Sequence, residues 1–383
     1  MRFLELVRKS VVRRKLRSAL TACGVAVAIA TVVTLVGVSQ GFRRSATESF
    51  QSHGVDMVVV RAGTVQRNAS SLSEQLRRRL ARLSGVGDVI PALTERVSLG
   101  KGGPLGIAVH GWPADSHVWD TLKIVQGRRP AEHDRGSVLV GSQLAHNLEK
   151  KVGDRMEIEL TQFRVIGIYQ SSNVFENSAA VLLLPDLQHL MDRMGQVSEF
   201  LIVLDRDLPD RRQATQQVQR HVEALTDQRG QPLGLAALPT EQYVNRNLEI
   251  RLAGDMSWAT STIALVIGSI GVLNTMLMSV MERTQEIGVL RAIGWRKSRI
   301  VRLIVYESCL VCLAGALAGI ALSVGLVSSL SRLPSAQGLV RSDTSPAVIA
   351  TGLAMAVAMG VIGAVYPAWR GAALQPTEAL RYE

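Results

Sequence analysis

The sequence predicts a multi-pass α-helical membrane protein with four transmembrane helices and one large α+β extracytoplasmic domain. Three observations carry that prediction: four uncharged apolar runs, basic residues gathered at one set of their ends, and a long polar stretch of mixed helix and strand pattern between the first two runs. The chain has 383 residues, a formal net charge of +11, 47% hydrophobic and 4% aromatic residues. That composition excludes disordered and fibrous classes. A basic, apolar chain is either a nucleic-acid binder with its charge on one face or a membrane protein whose charges record orientation, and the position of the charges decides.

Crossing roughly 30 Å of hydrocarbon takes about 20 helical residues. Four runs suffice: Ala19 to Phe42, Met256 to Met281, Ser308 to Ser331 and Thr344 to Trp369. The first is preceded by Arg13, Arg14, Lys15 and Arg17, as a signal peptide would be, but its apolar part is too long and no cleavage site is clear, so it reads as a retained span. Residues 1–18 place Phe3, Leu4, Val7 and Val11 on one helical face among Arg2, Arg8, Lys9 and Arg13, which suits a helix in the inner interface. Residues 1–18 hold seven Lys and Arg, and the segment after the second run holds six. The tail adds Arg370 and Arg381, whereas the loop at 332–343 has only Arg332 and Arg341. The positive-inside rule therefore places both termini and the 282–302 loop in the cytoplasm and residues 43–255 outside. The charge is a topology signal, and nucleic acid is not an expected partner.

Within 43–255, Leu72, Leu76, Leu80 and Leu83 recur at helical spacing and predict a helix over 72–83; 214–225 predicts a second. Short apolar or alternating runs predict strands at 56–61, 137–140, 156–160, 163–168, 179–184 and 200–204. The strand-dense middle, about 136–205, reads as an inserted lobe.

The chain offers little chemistry. Its seven histidines (His53, His110, His117, His133, His146, His189, His221) show no metal-ligand spacing and read as ordinary surface or loop residues. Cys309 and Cys312 form a C-x-x-C by chance spacing within an apolar helix. No Gly-Lys-Ser or Gly-Lys-Thr ends a glycine-rich turn: Gly294, Lys297 and Ser298 mimic only part of one. No catalytic residues, no metal site and no cofactor are expected on this chain, and if ATP drives it, another chain must bind the ATP and Mg.

The segment MERTQEIGVLRAIGW, Met281 to Trp295, is the most informative. Read as a helix from about Glu282, it repeats Ile287, Leu290 and Ile293 every three residues, with Glu282, Arg283, Glu286 and Arg291 as charges and Gly288 and Gly294 allowing close approach or a turn. Such a helix suits either the membrane surface or a groove on a cytoplasmic partner. Nearby, Glu307 is expected to snorkel or to pair with Arg302 or Arg283. Asn274 in the second run is expected to hydrogen-bond between helices rather than to contact substrate. Gly315 and Gly319 form a G-x-x-x-G in the third run, Gly360 and Ala364 repeat the spacing in the fourth, and Ala22, Ala26 and Ala30 in the first.

That segment, with Asn274 upstream and the tail YPAWRGAALQPTEALRYE from Tyr366 to Glu383, resembles the permease part of the MacB/FtsX family of ABC transporters. The resemblance covers the whole chain and implies an extracytoplasmic core of porter-like and sabre-like lobes, the latter near 115–209. It implies a coupling helix within Glu282 to Gly294 that inserts into a cytoplasmic ABC ATPase, and a second permease copy, identical or related. Relatives with a fused ATPase differ from this sequence, so a separately encoded ATPase is expected. The implied function is ATP-driven export or extraction of an amphiphile (drug, peptide, lipid or lipoprotein), with a periplasmic adaptor and outer-membrane channel or a lipoprotein carrier as further partners. The alternatives are an FtsX-like signalling subunit that regulates an outside enzyme, and a membrane-anchored enzyme that the missing catalytic constellation disfavours.

Overall fold

The computed structural model describes residues 15–63, 70–100, 106–171, 174–330 and 345–373. Most of the basic segment at 1–18, the 332–343 loop and the Pro376 to Arg381 ending lie outside them. The described residues form two compact units, divided near residues 40/41 and 252/253.

The helical unit is built on four helices long and apolar enough to cross a membrane. They are Lys15–Ser52, Leu248–Glu282, Lys297–Leu330 and Pro346–Ala373, called here the first to fourth long helices. Each extends past its apolar run at one or both ends. Val25, Ile29, Val32, Val33 and Val36 of the first helix pack with Val272 and Met276 of the second, Cys312 and Ala316 of the third, and Ala356, Met359 and Ala364 of the fourth.

Without a hydrophobic drive between helices in lipid, close backbone approach and hydrogen bonds hold such a bundle. Gly315 and Gly319 of the third helix lie against Ala22, Val25 and Ala26 of the first: a Cβ on Gly315 would sit 2.7 Å from Ala22 O, and one on Gly319 would overlap Ala26 O. Gly360 of the fourth helix packs on the Cys309 backbone, where Ser308 Oγ donates to Gly360 O at 2.9 Å. Thr34 and Ser323 share a hydrogen bond of 2.8 Å. Asn274 is exposed, and the first and second helices are joined instead by Thr21 donating to its neighbour Thr275 at 3.1 Å and by Ser257 Oγ donating to Leu35 O at 3.3 Å.

The second unit contains twelve described strands. They are β1 (Met57–Arg61), β2 (Leu72–Ser73), β3 (Val86–Val97), β4 (Ile107–Trp112), β5 (Lys123–Gly127), β6 (Ser137–Gly141), β7 (Arg155–Ile158), β8 (Thr161–Gln170), β9 (Ala180–Leu183), β10 (Gln196–Val197), β11 (Glu199–Leu204) and β12 (Leu235–Pro239). Ten join in the order β12-β1-β11-β3-β4-β9-β6-β8-β5, with β7 paired to β8; β2 and β10 pair separately. The pairs β4/β9 and β6/β8 are parallel and the others antiparallel. The long β3 serves two ladders, pairing β11 through Val86–Ala92 and β4 through Leu93–Val97.

The sheet is covered on both faces, so β1 reads as a continuous apolar run rather than an alternating one. Met57 and Val59 enter one core with Leu80, Phe200, Val218 and Val222, while Val58 and Val60 enter the other with Trp112, Trp119, Leu201 and Tyr243. The helix Arg211–Glu223 covers the first core through Ala214, Val218 and Val222, one turn apart. Asp210 caps it by accepting from Arg212 N at 2.9 Å and Gln213 N at 3.2 Å. Asp210→Ala is therefore expected to cost about 1 kcal/mol, read as a lowered melting temperature of the chain.

Two expectations are corrected here. The 72–83 stretch is not one helix: Leu72–Ser73 is β2, Glu74–Leu76 a 3₁₀ turn, and only Arg77–Leu80 one α turn. Pairing of Leu72 with Val197, and of Glu74 N with Gly195 O at 2.9 Å, satisfies the backbone across the chain and overrides the leucine spacing. His53 is likewise no surface residue but is buried, with Nε2 2.8 Å from Glu176 Oε1.

Candidate coupling site

The second long helix stops at Glu282 because Arg283 leaves helical geometry (φ −108°, ψ 18°), and a new helix runs Thr284–Ala292. Thr284 Oγ1 donates to Met281 O at 2.6 Å across the break. The new helix ends on Gly294, whose positive φ of 97° lets the chain reverse, and Trp295 N closes the turn on Leu290 O at 3.1 Å.

Placing Glu282 before the break changes the phase of the face that follows. Ile287 and Gly288 turn inward, and Ile287 packs with Val280, Ile300, Ile304, Ala368 and Ala372. Leu290 is half-buried. The exposed apolar side chains are Val289 at 45% and Ile293 at 72%, beside exposed Glu282, Glu286 and Gly294. Ile293 and Val289 are thus outward, whereas Ile287 anchors the helix, so the three apolar residues at three-residue spacing do not share one exposed face.

Two charged contacts fix this helix to the third. Arg283 Nη1 donates to both carboxylate oxygens of Glu307, at 3.0 and 2.8 Å, with side chains 14% and 10% exposed. Of the partners considered for Glu307, Arg283 makes the ion pair. Arg291 Nη1 donates to Trp295 O at 3.1 Å, and the Arg299 guanidinium lies 4.4 Å over the Trp295 ring. Among the described residues no three His, Cys, Asp or Glu side chains form a metal-binding group. The arrangement is a short helix, clamped on one side and exposing Glu286, Val289 and Ile293 on the other, between two membrane-length helices.

Residues 18–224 match the family described as MacB-like periplasmic core domain, and residues 258–376 match FtsX-like permease C-terminal. The chain belongs to this MacB/FtsX-type ABC permease family. Its large mixed sheet domain is the family's extracytoplasmic domain. Among relatives, the macrolide export ATP-binding/permease protein MacB of Bdellovibrio bacteriovorus is 27% identical, aligned over 96% of this chain and 60% of its own length. An uncharacterized ABC transporter permease of Methanocaldococcus jannaschii is 25% identical over 98% of this chain and 96% of its own. The chain thus spans about three fifths of the MacB relative. The crystal structure of the periplasmic region of MacB from Actinobacillus actinomycetemcomitans aligns with TM-score 0.40 and 14% identity, covering 50% of this chain and 93% of that one.

Proposed function

We propose that the chain is the permease subunit of an ABC transporter in which ATP hydrolysis on a separate cytoplasmic ATPase moves the extracytoplasmic domain, driving export or extraction of an amphiphilic substrate. The observation that carries this reading is the helix Thr284–Ala292, locked inward by Ile287 and Arg283–Glu307 while Val289 and Ile293 remain outward. A partner that captures Val289 and Ile293 displaces a body already fixed to the second and third long helices, and rigid-body movement can be passed along both.

The positive-inside count supports cytoplasmic termini and a cytoplasmic coupling loop. The apolar runs carry no charged residue at mid-depth, which argues against a polar path through the bilayer and for work done outside or at the outer leaflet. A second permease copy completes the pair of surfaces that two closing ATPase subunits require.

Ile293→Asp tests the reading. The variant removes an exposed side chain and so leaves folding intact, and it is expected to weaken co-purification with the ABC ATPase by roughly tenfold or more. Wild-type association and hydrolysis in Ile293→Asp and Val289→Asp would refute the coupling assignment.

A further inference from the structure

Glu176, a buried carboxylate of the extracytoplasmic domain, plays no part in the coupling helix. It lies in the short helix Val174–Asn177 and collects groups from several elements. Ser49 Oγ and His53 Nε2 both meet its Oε1, Ser171 Oγ donates to its Oε2, and Tyr169 OH of β8 donates to its backbone oxygen at 2.6 Å.

Ser49 lies in the last turn of the first long helix and His53 just past its end, four residues on, with His53 N bonded to Ser49 O. Phe42 shares their face and meets Phe175 with ring centroids 5.3 Å apart. The short helix is equally fixed on its other side. Asn177 exchanges two hydrogen bonds with the Ser171 backbone, at 2.8 and 2.7 Å, and Gly141 of β6 lies so close to the Glu176 and Asn177 carbonyls that a Cβ would overlap them.

His53 is enclosed as well. Its Nδ1 meets Thr121 Oγ1, whose proton goes to Val118 O at 2.7 Å, so both ring nitrogens are engaged, Nδ1 by Thr121 and Nε2 by Glu176. Trp112 stands edge-on to its ring, and the His53 backbone oxygen meets His117 Nε2, while His117 Nδ1 meets Asp88.

We propose that the Ser49–His53–Glu176 cluster is a clasp that makes the end of the first long helix and the β6–β8 stretch one moving body. Chain connectivity ties that helix only to β1; the clasp also delivers its displacement to the middle of the sheet. That displacement rests on the permease reading, whereas the clasp itself does not.

Burial opposes the charged form of Glu176. The hydrogen bond and charge of His53, with Ser171 and Ser49, outweigh it and lower the carboxyl from the ordinary 4.5 to about 2. The group therefore stabilises the fold fully above pH 4.5 and loses that contribution as pH falls toward 2.

The test uses the full chain in lipid nanodiscs. Glu176→Gln is expected to speed amide hydrogen exchange in residues 42–53 and 174–177 together, by about tenfold or more, while β1, β11 and β12 stay protected. Its melting temperature should fall less steeply than that of wild type between pH 4.5 and 2. The reversed pair, His53→Glu with Glu176→His, should restore protection; if it does not fold, Ser49→Ala should show the same pattern of exchange more weakly. With the ABC ATPase and Mg-ATP, spin labels at Arg43 and Gln126 should keep one separation in wild type and change it in Glu176→Gln. Unchanged exchange in Glu176→Gln, or a nucleotide-dependent separation in wild type, overturns the clasp. Absence of any ATP response counts against the permease reading alone, because the exchange result still decides the clasp.

Discussion

Glu307→Ala is expected to destabilise the chain by about 3 kcal/mol, because it removes the carboxylate that faces the partly buried Arg283 guanidinium. The loss is a desolvation penalty rather than the net strength of the pair. Replacing both partners, Arg283→Met with Glu307→Leu, should therefore recover most of the stability. Melting temperatures of the three proteins in one detergent give the comparison. Arg283 sits at the break between the second long helix and the helix Thr284–Ala292, so the double variant separates holding the fold from the proposed coupling. If it regains stability yet fails to pass nucleotide-driven motion to the extracytoplasmic domain, the ion pair transmits as well as holds. A Glu307→Ala variant as stable as wild type would show that the guanidinium reaches water after all.

Gly319→Leu is expected to have the next largest effect. Even a Cβ at this position would overlap Ala26 O, so a full side chain must push the first and third long helices apart over several turns. Overpacking of this kind costs about 1–3 kcal/mol, and the separated helices also lose the Thr34–Ser323 hydrogen bond. Gly325→Leu, six residues further along the same helix, is the control, because nothing lies within 4 Å of a Cβ there. Melting and monodispersity in detergent should distinguish the two variants, with Gly325→Leu close to wild type.

The long helices were legible in the sequence because an uncharged run of about 20 residues has few other uses. Strands also form at all six places where short apolar runs were read. The strand β3 was not legible: it carries Gly87, Asp88, Pro91 and Glu95, and it is held by partners on both sides rather than by local pattern. Leu72 to Leu83 failed in the opposite direction, since its helical spacing was real but its backbone found a better partner in β10.

In the segment Met281 to Trp295 a short helix was legible and its orientation was not. A helical face can be read only through unbroken helix, and Arg283 interrupts the phase between Glu282 and Ile287. The Glu176 cluster was invisible because Ser49 and His53 lie more than 100 residues from Ser171 and Glu176 and none of the four has a motif. One local signal was present: Ser49 and His53 share a helical face with Phe42 at the end of an apolar helix, where a solvated surface would be expected to carry more charge.

The strand β3 bears on any attempt to exchange parts between permeases of this family. Its first half hydrogen-bonds to β11 and its second half to β4. The middle of the domain is therefore no cassette that can be cut out at a loop and replaced. A chimera must carry Leu93–Val97 with the graft and keep Val86–Ala92 with the recipient, joining donor and host inside a single strand.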